Sequence, residues 1–190
     1  MLFSIYTLIA YVIWIAMFVV WMFGRISNKK TLRRPLWGKY VFTTLLLYLG
    51  YSFLFSPYFS RIWPYHITPQ NKFSGIIGVL LCLLGASFAI WARFTLGRNW
   101  SGVVATQKEG HKLIKSGPYS IVRHPIYLGF FISMLGFAFT VGTIVAYMAV
   151  LLGLIALLLR IWIEEKLMNE VFFDYKEYSR KIKRLIPFVW

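Results

Sequence analysis

Three small clusters of side chains have chemistry to offer in this sequence. All six acidic residues lie beyond position 108, as Glu109, Glu164, Glu165, Glu170, Asp174 and Glu177. Glu164 follows Arg160 by four residues, which puts both on one face of a helix. The pair reads either as an ordinary interfacial salt bridge or as a functional arginine and carboxylate. The second cluster is Arg123-His124-Pro125-Ile126-Tyr127. Pro125 suits the first turn of a helix. The unpaired N–H groups and positive dipole end of such a turn can receive a carboxylate or another anion. Arg123 reads equally well as a headgroup anchor, and His124 as a helix cap. The third is the turn Gly117-Pro118-Tyr119, where proline fixes its own φ and restricts the residue before it. There is no serine elbow, P-loop or dinucleotide fingerprint. His66, His111 and His124 are too dispersed for a ligand set, so no metal site is expected.

The elements that must position these clusters are membrane spans. Of 190 residues, 59% are hydrophobic and 14% charged, against about 25% charged in an ordinary soluble domain. Residues 1–24, 40–60, 73–92 and 124–159 contain no Asp, Glu, Lys or Arg. A bilayer core of ~30 Å needs roughly 20 apolar residues, so each of the first three runs fits one helix. The fourth would make a helix of ~54 Å and is expected to fold back as a hairpin of two rather short arms, turning between Gly136 and Thr143. The first run lacks the basic start and small-residue cleavage site of a signal peptide and is expected to stay as a span.

Orientation follows from the basic residues. Six of the 21 lie in 25–39, six in 93–123 and seven in 160–184; only Arg61 and Lys72 fall elsewhere. Five crossings place those three segments on one side, with the N-terminus outside and the C-terminus cytoplasmic. The net charge of +15 is then chiefly this bias plus attraction to anionic lipid. No basic stretch carries a nucleic-acid motif, so no nucleic-acid partner is expected. Lone Cys82 reads as packing. After Glu164, Leu167, Val171, Tyr175, Tyr178 and Ile182 recur at helical spacing, which predicts an amphipathic helix continuing the last span and resting on the 93–123 loop. The fold class is thus all-α: an integral membrane protein of about five transmembrane helices, with a short C-terminal hairpin and a cytoplasmic amphipathic C-terminal helix. It forms one domain, 1–190, with three N-terminal spans in 1–92 and the chemistry in 93–190.

Taken together, the segments Gly110 to Ile114, Ser116 to Tyr119, Val122 to Gly129, Arg160 to Glu165 and the tail ending in Pro187 and Phe188 resemble the isoprenylcysteine carboxyl methyltransferase family and its bacterial and archaeal relatives. The resemblance covers residues 93–190. It implies an S-adenosylmethionine-dependent methyltransferase whose cofactor is held by His111, Lys112, Leu113, Ile114, Tyr119, His124, Pro125, Ile126, Tyr127 and Glu164, with Arg160 facing the substrate. The implied acceptor is an isoprenylcysteine-like carboxylate, methylated on the cytoplasmic side. Alternatives are a phospholipid or a small lipophilic metabolite as acceptor. The Arg-His-Pro-x-Tyr element is shared with NADPH-dependent membrane reductases, but the tail with its Glu-Glu pair favours methyl transfer. A non-catalytic membrane scaffold would leave the loop motifs without a purpose.

Overall fold

A computed structural model describes residues 4–24, 31–33, 37–100, 107–108 and 113–187. Among them the chain is helical apart from one small antiparallel ladder, β1 (Thr31–Arg33) with β2 (Gln107–Lys108). The long helices are α1 (Ile5–Gly24), α2 (Trp37–Phe55), α4 (Lys72–Leu96), α5 (Pro125–Val141) and α6 (Ile144–Val171); α3 (Pro57–Ile62) and α7 (Tyr175–Lys181) are short. By length and apolar composition α1, α4 and α6 can each cross a bilayer, and α5 is a shorter apolar helix of 17 residues. The molecule is therefore a multi-pass helical membrane protein.

Local sequence explains where each helix begins and ends. The uncharged run 40–60 is not one helix. Proline cannot continue a helix but suits its first turn, so α2 stops at Phe55 and Pro57 opens α3. Asn71 and Ser74 exchange side-chain and backbone hydrogen bonds (3.0 and 3.3 Å) as a capping box at the start of α4. The hairpin turns within the expected window. Gly142 closes α5 at φ +75, a backbone conformation that favours glycine, and the Thr143 hydroxyl accepts from the Ala146 N–H at the start of α6. The two arms are unequal, however. α5 spans ~26 Å, whereas α6 runs 28 residues, ~42 Å, because the helix continues through Arg160, Glu164 and Glu165. Nor does the amphipathic C-terminal helix continue unbroken. Phe172 is extended (φ −115, ψ 117), and α7 starts afresh at Tyr175, so Ile182 lies outside the helix.

The core gathers Trp14 and Met17 of α1, Leu54 of α2 and Met134 and Phe137 of α5. Tyr11, Phe55 and Phe137 meet edge-on around it, with Phe137 4.8 Å from both other rings. The closest approach is between α4 and α5, where glycines set backbone against backbone. A Cβ on Gly85 would lie 2.5 Å from the Gly129 carbonyl oxygen, and one on Gly136 would lie 2.5 Å from the Cys82 nitrogen. Between these points the Cys82 thiol donates to the Ser133 carbonyl and the Ser133 hydroxyl to the Cys82 carbonyl, both at 3.3 Å. Small residues serve membrane helices in this way because apolar burial gives no preference for protein over lipid, leaving close packing to hold helices together.

Contacts also bring the basic segments to one end of the bundle. β1 joins β2, the Trp21 and Trp100 rings meet at 6.4 Å, and the Lys39 ammonium sits 5.1 Å over Trp162. At the other end the loop after α3 is pinned to the hairpin tip, with the Ile67 and Ile144 N–H groups donating to Gly142 and Tyr65 at 2.8 Å.

Candidate functional site

At the basic end, the last turn of α4, the Gly117–Ser120 turn, the opening of α5 and the far end of α6 enclose a cavity holding about 850 Å³ of empty space, partly open to solvent. Leu113, Ile114, Tyr119, His124, Pro125, Ile126, Tyr127 and Glu164 all line it. Residues far apart in sequence therefore meet in one place. His111 and Lys112 lie outside the described residues.

Glu164 is turned inward. Its carboxylate accepts from the Tyr127 hydroxyl and lies 3.4 Å from His124 Nδ1, with 18% of its side chain exposed. On the other edge of the imidazole, His124 Nε2 is 3.4 Å from Glu165. Burial alone would lower the His124 pKa, but the two carboxylates outweigh it and raise it above the ordinary value. The His124 and Tyr127 rings stack at 5.8 Å and 9°. Tyr119 is buried. That burial, reinforced by the charge of Glu164, pushes its pKa well up, so it stays a neutral phenol. Trp100, Phe172, Tyr175 and Tyr178 complete an aromatic wall, and Tyr178 donates to the Tyr119 carbonyl at 2.6 Å. The expected face of the C-terminal segment thus does rest on the loop, through α7.

Beside the cavity, with Arg123 in its wall, stands a charge cluster whose pairing the sequence motifs did not show. Glu165 is buried and accepts from Arg123 Nε and Nη2 at 2.8 and 2.6 Å and from Arg184 Nε at 2.8 Å. Arg123 also donates to the Ser179 and Ile182 carbonyls. The Arg123 and His124 N–H groups bond the Lys183 and Arg184 carbonyls at 2.7 and 3.0 Å. Arg123 is accordingly no headgroup anchor: its side chain is 7% exposed and ties the tail to the opening of α5. Arg93 was missed as well; it lies 4.3 Å over Trp100 and caps the Gly97 carbonyl at 3.0 Å.

Arg160 and Glu164 do not pair. Arg160 points to α2, where it donates to Thr44 Oγ1 at 2.8 Å and lies 5.4 Å over the Tyr40 ring. It does not line the cavity. It thus stands on the face of α6 that packs against α2. Its Nε is buried without a hydrogen-bond partner.

Fold and site together define a class: a multi-pass helical membrane protein whose shortest long helix opens onto an aromatic-walled cavity, with a carboxylate turned into it, at one end of the bundle. Within that class the chain is similar to the isoprenylcysteine carboxyl methyltransferase (ICMT) family, whose family model matches residues 77–170. It is 36% identical over 148 residues to the protein-S-isoprenylcysteine O-methyltransferase of Saccharomyces cerevisiae, covering 73% of this chain and 57% of the yeast protein. The cobalt-zinc-cadmium resistance protein CzcN of Cupriavidus metallidurans is 31% identical, with 56% of this chain and 48% of that protein covered. Among solved structures, the eukaryotic intramembrane Ras methyltransferase ICMT superposes with a TM-score of 0.58 at 25% identity, covering 77% of this chain and 52% of that one. The chain spans about half the length of the curated relatives it matches.

Proposed function

We propose that this protein is an S-adenosylmethionine-dependent methyltransferase that esterifies the carboxylate of an isoprenylcysteine-like acceptor. The observation that carries this reading is the placement of Glu164, turned into a cavity with Tyr119, His124 and Tyr127 around it. The family relatives add the acceptor class, since the yeast protein is named for the O-methylation of isoprenylcysteine.

The donor set fits such a cofactor. The Glu164 carboxylate can accept from a ribose hydroxyl or an amine. Helices leave their first N–H groups without internal partners, so those of Ile126 and Tyr127, at the opening of α5, can hold a carboxylate. Leu113, Ile114 and the aromatic wall offer an apolar face for a purine and π faces for a cation. His111 and Lys112 are assigned to the same site by motif. When bound, S-adenosylmethionine supplies an activated methyl group on a sulfonium. The protein's share is then to align the acceptor and exclude water, which requires no covalent intermediate. Arg160, with its unpartnered Nε and its place against α2, is assigned to the acceptor carboxylate.

The topology in this reading has five crossings, α1, α2, α4, α5 and α6, with the basic end and the cavity cytoplasmic, the N-terminus outside and the C-terminus inside. Residues 1–190 act as one domain in which 1–92 supply the lateral wall and 93–190 the cofactor site. A water-soluble cofactor can then enter from the cytoplasm while a greasy acceptor arrives between helices.

The test is transfer of labelled methyl from S-adenosylmethionine by the detergent-purified chain to a prenylcysteine analogue, a phospholipid and lipophilic alcohols or thiols. Base-labile methyl ester on the prenylcysteine analogue is the expected product. No transfer together with no cofactor binding overturns the reading, and NADPH oxidation in its place would turn the assignment to a reductase.

A further inference from the structure

A second cavity lies at the opposite end of the bundle, under α3, between the start of α1, the end of α2 and the hairpin tip. It holds about 1530 Å³ of empty space counted to its open mouth. The methyltransferase reading gives it no role.

Its polar groups divide by depth. Inside, three hydroxyls donate to backbone carbonyls, Thr7 to Thr140 at 3.1 Å, Tyr11 to Phe55 at 2.5 Å and Thr140 to Phe137 at 2.8 Å, while those of Ser60 and Thr143 bond each other at 3.2 Å. A hydroxyl whose proton is spent in this way presents mainly carbon and a lone pair. Beside these, Leu54, Val141 and the Tyr11 ring give the interior an apolar character. At the mouth stand Arg61, His66 and Gln70, all exposed. Arg61 takes part in no ion pair among the described residues. The described carboxylates all follow residue 163, and those that form ion pairs do so around the first cavity or on α7. The rim therefore carries an uncompensated guanidinium, while the interior suits hydrocarbon.

We infer that this outer cavity binds a single-chain amphiphile, its anionic head (phosphate or carboxylate) at Arg61 and its chain running inward past Tyr11 and Leu54. A guanidinium matches either head with paired N–H donors. The chain would replace water against rings and methyl groups. This inference is independent of the cofactor reading, because it concerns the other end of the molecule and is tested by binding alone.

The experiment is native mass spectrometry of the full chain in detergent, titrated separately with lysophosphatidic acid and with lysophosphatidylcholine of the same acyl chain. A one-to-one adduct is expected, favouring the anionic lipid by about tenfold, the scale of one hydrogen bond to a charged group. Arg61→Gln should erase that preference. Lys72→Gln removes the other basic charge of this end without touching the cavity and should leave the preference intact. Inorganic phosphate at millimolar concentration should not displace the lipid. Equal retention by wild type and Arg61→Gln, an equal loss in Lys72→Gln, or displacement by phosphate alone would each overturn the inference. Circular dichroism of both variants confirms that each is folded, and calorimetry with S-adenosylmethionine reports the cofactor site separately.

Discussion

Helix α5 makes opposite demands along its two ends. Over most of its length, facing α4, it needs residues with almost no side chain: Gly129, Ser133 and Gly136 let two backbones touch. At its opening it needs charge and rings, with His124 and Tyr127 reaching Glu164 at the cavity and Arg123 and His124 reaching Glu165 beside it. The seam leaves no room for a Cβ and holds no charge; the opening is built on paired charges. One helix thus holds the packing and the chemistry, and the two should fail in different ways.

The opening should break hardest. Glu165→Ala strands the buried Arg123 and part of His124, and takes one carboxylate from the half-exposed Arg184. Removing one partner from a buried pair costs about 3–5 kcal/mol, so a large fall in thermal midpoint in detergent is expected. Loss of stability no greater than that of an exposed charge removal, such as Lys181→Ala, would show that the cluster is not needed to hold the tail.

Glu164→Ala should act on binding rather than on folding. Affinity for S-adenosylmethionine, measured by calorimetry, is expected to fall about 100-fold, near the upper range for hydrogen bonds to a charged group. Arg160→Ala, on the α2 side, should bind the cofactor normally and lose turnover. If both variants bind alike, the separation between cavity and acceptor side disappears.

The seam gives smaller and purely structural effects. Gly85→Ala forces a Cβ to 2.5 Å from both the Gly129 oxygen and the Ser133 nitrogen. Overpacking of this kind costs about 1–3 kcal/mol, and cofactor affinity per folded molecule should be unchanged. Gly50→Ala, whose nearest neighbour would be 3.4 Å away, should be close to neutral. Equal destabilisation by the two would mean the α4–α5 contact is not the tight one.

The two regions also differed in how far they could be read beforehand. Tyr119, His124, Tyr127 and Glu164 were legible because motif order survives when distances are unknown. Glu165 was not. Adjacent glutamates point about 100° apart on a helix, and only the packing of α6 decides which meets the cavity and which meets Arg123. The same limit hid where Arg160 points: it shares a face with Glu164 by spacing, yet it bonds Thr44 of α2. Hydropathy gave the helices but not their ends, since Arg160 to Val171 stay helical beyond the apolar run and Pro57 splits another. The seam had a signal that went unused: Gly78 and Gly85 are seven residues apart, as are Gly129 and Gly136. Two helices with small residues at the same interval can align them.

The smallest effect, and the one that best separates the two regions, is on pH. The folded pKa of His124 is raised above 6.5 because Glu164 and Glu165 face its two ring nitrogens and outweigh its burial. A raised pKa means the folded state holds the proton more tightly than the unfolded chain does. The stabilisation is therefore complete below pH 6.5 and is lost as pH rises through the folded value. The Tyr178 phenol beside the tail, pushed up to about 12 by burial, titrates far above this window. His124→Asn should flatten the decline in thermal midpoint above pH 6.5, whereas Gly85→Ala should lower the whole curve without changing its slope. A wild-type midpoint that rises with pH across this range would mean His124 is neutral between the glutamates. The opening of α5 would then be held by the arginines alone.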